Sequence, residues 1–229
     1  MAIGMHGICI LGQSQSGKSA LSFALARRGG WNWVTQDDIS ILPRDRGWEI
    51  IGWPGSLRLR PSALDLFPDL RAHRPILTHP ANTLESSMPA NEARVRLFPT
   101  EVSDLTGAKI QAKVKLSAIF VLDPDAAVGA ITRLSKSALM SALLSAWDVL
   151  PERRSGAAVL DARRGISSWR ELVFNSALFD LYGVPDVSLL ERKLEAVASE
   201  IGGWQIDRTA LLTPEHTANT ISDLVSGKG

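Results

Sequence analysis

The chain opens with a short unbroken apolar run, His6 to Leu11 (HGICIL), the pattern of a strand buried on both faces. A Gly- and Ser-rich turn follows. From Ser19 to Arg28 the apolar positions take helical spacing, with Leu21, Ala24 and Leu25 on one face, and Gly29-Gly30 ends the helix. Trp31 to Thr35 and Ile39 to Leu42 read as strands on either side of Gln36-Asp37-Asp38. A turn at Pro43 to Gly47 and a further strand, Trp48 to Trp53, complete a hairpin. Leu57 to Arg60 (LRLR) and Arg94 to Phe98 alternate, and Ala63 to Phe67 predicts a helical turn or two. Between them, Arg71 to Ala93 carries Pro75, Pro80 and Pro89 and predicts a long surface loop, a candidate cover for an active site. Leu116 to Leu122 (LSAIFVL) is a strong buried strand. Helical spacing then dominates in Lys136 to Val149, Ser168 to Tyr182, Ser188 to Ile201 and Pro214 to Val225. The pattern predicts one α/β domain over residues 1–229, with a mixed sheet, helices and a mainly helical C-terminal half.

The turn after the first strand carries chemistry. Gly12-Gln13-Ser14-Gln15-Ser16-Gly17-Lys18-Ser19 fits G-x-x-x-x-G-K-[ST] without a gap. Glycines let the backbone curl so that successive N–H groups point inward at phosphate oxygens. The helix that follows adds its N-terminal dipole and unpaired amides. Lys18 reaches the β- and γ-phosphates, and the Ser19 hydroxyl is a magnesium ligand. Gly12, Gln13, Ser14, Gln15, Ser16, Gly17, Lys18, Ser19 and Ala20 are thus the candidate nucleotide-binding residues. The position between a buried strand and an amphipathic helix makes the motif a P-loop rather than a chance Gly/Ser turn. It leaves the reaction open. No N-K-x-D segment of the GTPase type is present. Val121-Leu122-Asp123 is readable as a Walker B acid, with Pro124 immediately after it.

Asp37-Asp38 lies 19 residues beyond Lys18, at a strand end. Adjacent carboxylates there face different ways and can divide labour, one accepting a hydroxyl proton and the other supporting magnesium. Strand, P-loop, helix and Asp-Asp together resemble the C-terminal kinase domain of HPr kinase/phosphorylase. The residues that carry the likeness are Ile10-Leu11-Gly12, Ser16-Gly17-Lys18-Ser19, the helix ALSFALARRGG and Thr35-Gln36-Asp37-Asp38. Trp53-Pro54-Gly55-Ser56-Leu57-Arg58-Leu59-Arg60 is similar to a Pro-x-Leu-x-Leu segment of smaller relatives, the serine kinases and the kinases of lasso-peptide gene clusters. The resemblance covers residues 6 to about 66, with a weaker echo over Leu116 to Leu144. It implies a fold related to phosphoenolpyruvate carboxykinase and ATP on the P-loop. Asp37 is then the base that deprotonates the acceptor hydroxyl, and Asp38 the support of the metal. The chain departs from that pattern at Gln15, where a glycine is usual, at Gln36, where a small residue is common, and in a Lys18-to-Asp37 spacing two residues longer. The Glu-x-Arg-Gly-x-Gly-Ile segment of the full enzyme is missing, so HPr itself is not implied as acceptor.

Composition narrows the partners. Lys plus Arg is 25 against 24 acidic residues, a net charge of +1, which gives no electrostatic case for nucleic acid or an anionic membrane. A single cysteine, Cys9, allows no intrachain disulfide, and no secretory signal or 18-residue apolar stretch appears, so a cytoplasmic protein is expected. The expectation is an ATP- and magnesium-dependent kinase acting on a hydroxyl of a peptide or small molecule, with homo-oligomerisation left open. The alternatives are a non-catalytic ATP-binding module and an assembly-coupled ATPase using Asp123.

Other residues carry two readings each. Arg58 and Arg60 share one strand face and either hold the transferring phosphoryl group or an acceptor carboxylate, or belong to a solvated strand. His6 reads as a strand-edge residue, and His73 and His79 lack partners at zinc-ligand spacing. Arg153, Arg154, Arg163 and Arg164 form two basic pairs that either are solvated or steer an acidic peptide. Trp31, Trp33, Trp48 and Trp53 read as packing rather than ligand stacking.

Overall fold

The strand that precedes the Gly12-to-Ser19 turn stands in the middle of a sheet because its side chains are apolar on both faces. The computed structural model describes residues 1–12, 16–36, 39–52, 55–60, 63, 65–68, 83–84, 94–123, 131–148, 187–207 and 213–227. The strands are β1 (Ala2–Ile3), β2 (His6–Gly12), β3 (Trp31–Asn32), β4 (Ile39–Arg44), β5 (Gly47–Gly52), β6 (Leu57–Leu59), β7 (Thr83–Leu84), β8 (Arg94–Leu97), β9 (Lys113–Asp123), β10 (Ile131–Arg133) and β11 (Gly202–Asp207). The helices are α1 (Lys18–Arg27), α2 (Pro99–Thr106), α3 (Lys136–Asp148), α4 (Val187–Glu200) and α5 (Pro214–Val225).

The main sheet is mixed and follows the order β10-β11-β9-β2-β1-β3. β9 runs parallel to both β2 and β11, whereas its first residues pair antiparallel with β5, which in turn pairs with β4. Period-two alternation along β9 feeds two cores. Ala118, Phe120 and Leu122 join Leu21, Phe23, Leu25 and Ile221 on the face covered by α1 and α5. Ile119 and Val121 join Cys9, Leu139, Leu143, Leu194 and Val197 on the face covered by α3 and α4. Helices on both sides explain why β2 and the end of β9 carry no polar face.

A second, three-stranded sheet has the order β6-β8-β7. Leu57, Leu59 and Leu97 are fully buried beneath it against the α1 core, next to Phe67, whose ring meets Phe23 edge-on at 5.1 Å. Thr83–Leu84 pairs with β8 as a strand, inside the stretch expected to be loop throughout.

The structure is α/β with a mixed sheet, as the pattern predicts, and the described part of the C-terminal half is mainly helical, with α3, α4 and α5 where helical spacing predicts them. β10 and β11 lie between these helices, and the pattern predicts none of β1, α2, β10 and β11. The hairpin forms, with Pro43 and Arg44 in the strand opposite Trp48 and Gly47, so the turn is tighter than Pro43 to Gly47. The expected helix Ser168 to Tyr182 lies outside the described residues. No helix among the described residues is long and apolar enough to cross a membrane.

Candidate functional site

β2 ends at Gly12, whose φ of +153° is one that side chains seldom adopt. A Cβ there would lie 2.6 Å from Ser16 Oγ and 2.9 Å from the Leu122 carbonyl oxygen, so only glycine lets the chain turn this closely over β9. Gly17, at φ +91°, closes the turn in the left-handed region and starts α1 without any side-chain cap. Lys18 Nζ donates to the Gly12 carbonyl at 2.7 Å, which folds the ammonium back over the loop it belongs to. Ser16 Oγ is buried and has no hydrogen-bond partner among the described residues. A buried hydroxyl left unsatisfied beside an uncapped helix start is costly unless an acceptor arrives from outside the chain. The glycine cradle, the uncapped start of α1, the orphaned Ser16 hydroxyl and the Lys18 ammonium all fit a phosphate chain.

Ser19 follows on the first turn of α1. Its Oγ accepts a hydrogen bond from Gln36 Nε2 at 3.2 Å, and Gln36 Oε1 accepts the Arg58 backbone N–H at 2.6 Å. The backbone donor fixes the orientation of the amide, because only the carbonyl end can accept from Arg58. One side chain thereby joins α1, the segment after β3 and strand β6. In the sequence Gln36 stands where the resembling family commonly has a small residue. No motif signals it, since its role depends on a contact between residues 22 apart.

Gln36 immediately precedes Asp37 and Asp38, which lie outside the described residues, as do Gln13, Ser14 and Gln15. Of the other expected site residues, Gly12, Ser16, Gly17, Lys18, Ser19 and Ala20 come together at the end of β2, and the Arg58 backbone is linked to Ser19 through the Gln36 side chain. Arg60 falls just past the end of β6.

A further carboxylate sits at the same sheet edge. Gly12 is level with Leu122 in the parallel β2–β9 pair, so Asp123 stands one residue beyond the last rung of β2. Gln205 Nε2 donates to Asp123 Oδ2 at 2.8 Å, and Asp123 is in register with the buried Asp207 on β11. The carboxyl ends of three parallel strands therefore meet at one edge, where α/β sheets bind ligands. Among the described residues no group of three or more His, Cys, Asp or Glu could hold a metal by itself. Ser19 and the Asp37-Asp38 segment remain the metal-ligand candidates.

His6 is not part of this site. It begins β2, six residues from Gly12 or about 20 Å along an extended strand, and its Nδ1 contacts Ser117 Oγ at 3.1 Å. Three of the tryptophans expected to pack do so: Trp31, Trp33 and Trp48 are buried. Trp31 Nε1 donates to Ser222 Oγ at 2.9 Å and Trp48 Nε1 to Glu200 Oε2 at 3.0 Å. Trp53, His73, His79 and the arginine pairs at 153–154 and 163–164 lie outside the described residues. No family model, curated protein or solved structure matches the chain.

Proposed function

We propose that the protein is a kinase that uses ATP and magnesium to phosphorylate a hydroxyl group on a peptide or small molecule. One observation supports this reading above the others: a glycine cradle with an orphaned buried hydroxyl and a lysine folded over it, joined through Gln36 to the segment that carries a double aspartate. Phosphoryl transfer asks little covalent chemistry of a protein, so positioning, charge and one base suffice.

In this reading the loop amides, Ser16 and Lys18 hold the triphosphate, and Ser19 with Asp38 holds the metal. Bound magnesium supplies charge neutralisation at the phosphate oxygens. Asp37 accepts the proton of the acceptor hydroxyl as its oxygen forms a bond to the γ-phosphorus and the bond to the ADP oxygen breaks. Lys18 remains on the phosphate oxygens throughout. A pure nucleotide sensor has no need of a base at position 37.

A second reading has one observation in its favour. Asp123 ends the parallel strand next to the P-loop strand, where a carboxylate suits an ATPase that activates water. The acceptor separates the two, since a kinase passes phosphate to an alcohol and an ATPase to water.

The test begins with nucleotide binding by calorimetry. Lys18→Ala should abolish binding of ATP with magnesium while far-UV circular dichroism stays unchanged. Unaltered affinity in that variant sinks the assignment.

A further inference from the structure

β6 and β8 pair antiparallel with Leu57 opposite Leu97, Arg58 opposite Arg96 and Leu59 opposite Val95. The leucines on one face go into the core, so Arg58 and Arg96 share the other face as a direct cross-strand pair. Their Cβ atoms are then about 5 Å apart, a spacing at which like charges destabilise a sheet. No ion pair joins either guanidinium to a carboxylate among the described residues. Arg58 is exposed, whereas Arg96 is half-buried and its Nε is fully buried without an acceptor among the described residues. A buried guanidinium donor aimed at no acceptor, directly opposite a second guanidinium, is an unfavourable arrangement in the protein alone. An oxyanion lying across both removes the repulsion and satisfies the donor, and the planar forks suit carboxylate or phosphate.

The pair is also near the P-loop. The backbone of Arg58 is one side chain, Gln36, away from the Ser19 hydroxyl. Arg96 is 38 residues further along the chain and carries no sequence signal beyond alternation in Arg94 to Phe98. Only the strand register brings it opposite Arg58.

We propose that Arg58 and Arg96 together form an oxyanion subsite that binds a carboxylate or phosphate group carried by the phosphoryl acceptor. Its role as an acceptor subsite rests on the kinase reading, but the existence of the anion site does not. The acceptor class becomes a hydroxyl compound or peptide with an anionic group close to the hydroxyl, such as a free C-terminal carboxylate. The γ-phosphate of the nucleotide offers the same oxyanion chemistry, so the test must separate the two sources.

The experiment follows the Nε–H resonances of Arg58 and Arg96 by NMR while inorganic phosphate is added. It is run with the P-loop occupied by a non-hydrolysable ATP analogue and magnesium, and again in Lys18→Ala without nucleotide. The subsite predicts saturable shifts of both resonances at millimolar phosphate in both samples. Arg96→Gln should weaken that phosphate binding at least about tenfold, the loss expected for a charged hydrogen bond. Arg96→Lys should restore it only in part, because the ammonium keeps the charge and loses the fork. Analogue affinity should not change in either variant.

Absence of any saturable shift at Arg96 in the wild-type protein overturns the proposal without recourse to a variant. A shift of Arg96 by the analogue alone, with phosphate adding nothing, assigns the pair to the nucleotide and overturns the acceptor subsite. Should the analogue fail to bind while phosphate still shifts Arg96 in Lys18→Ala, the anion site stands and the kinase reading falls.

Discussion

Replacing Gln36 by leucine removes both ends of the bridge between α1 and β6 at nearly constant size. The two hydrogen bonds, at 3.2 Å to Ser19 Oγ and 2.6 Å from the Arg58 N–H, are neutral. Each contributes about 1 kcal/mol net, so the pair contributes about 2 kcal/mol. Arg58 is exposed and its freed N–H turns to water, which brings the expected loss down to about 1–2 kcal/mol. Little of this should appear as global destabilisation, because α1 is held by Leu21, Phe23, Leu25 and other buried residues that the substitution leaves alone. It should appear where Ser19 works. With Gln36 in place, the Ser19 oxygen is held toward the segment after β3; without it, the hydroxyl regains its other rotamers. The magnesium concentration at half-maximal nucleotide binding should therefore rise about 5- to 30-fold in Gln36→Leu, the equivalent of 1–2 kcal/mol. Nucleotide affinity without magnesium should stay the same. Gln36→Glu keeps the acceptor for Arg58 and reverses the other bond, so it should fall between the two. Calorimetric titration of the nucleotide at stepped magnesium, with urea unfolding as the control, measures both quantities. An unchanged magnesium midpoint in Gln36→Leu would refute the bridge as a positioning device.

Two further predictions concern the strand that carries the loop. Gly12→Ala puts a methyl group 2.9 Å from the Leu122 carbonyl and 2.6 Å from Ser16 Oγ. Strain of about 1–3 kcal/mol should show as a lower urea midpoint, together with loss of nucleotide binding; wild-type values for both would mean that the cradle is looser than described. Cys9 is buried, and desolvation pushes its thiol up from 9.0 to about 12. Its folded pKa is the higher one, so its contribution to stability is complete below pH 9 and is lost as pH rises from about 9 to about 12. Unfolding free energies measured across that window should fall less steeply in Cys9→Ala than in the wild type, and parallel curves would contradict the burial of Cys9.

Much of this fold was legible because the pattern and the burial coincide. HGICIL reads as a doubly buried strand and becomes β2 between β1 and β9; LSAIFVL becomes the core of β9. The turn between β2 and α1 was visible because its backbone demands glycine at Gly12 and Gly17, both at positive φ. Elements whose stability comes from their neighbours were harder to see. β11 (GGWQID) offers only Trp204 and Ile206 as apolar residues and begins with two glycines, yet it pairs with β9 over six residues. Trp204 stacks on Phe120 at 5.4 Å, which no local pattern announces. α2 carried a signal that went unread: Pro99 at its first turn and Glu101, whose side chain accepts the Phe98 N–H at 2.7 Å. Gln36 and Arg96 were invisible for a different reason. Each acts through a residue distant in sequence, and only strand pairing and the close approach of β6 to α1 bring the partners together.

Transfer to a hydroxyl with Asp37 as the base is tested by labelled phosphoryl transfer. Wild-type protein and Asp37→Asn are incubated with γ-labelled ATP, magnesium and a panel of hydroxyl compounds and peptides bearing a free carboxylate. ATP binding is followed in parallel. With the wild type, label should appear on an alcohol oxygen of at least one acceptor. Asp37→Asn should retain ATP affinity, with transfer slower by roughly 10²-fold or more, the usual range for a general base. Full transfer by Asp37→Asn, or label released only as inorganic phosphate by the wild type, would contradict transfer to a hydroxyl with Asp37 as the base.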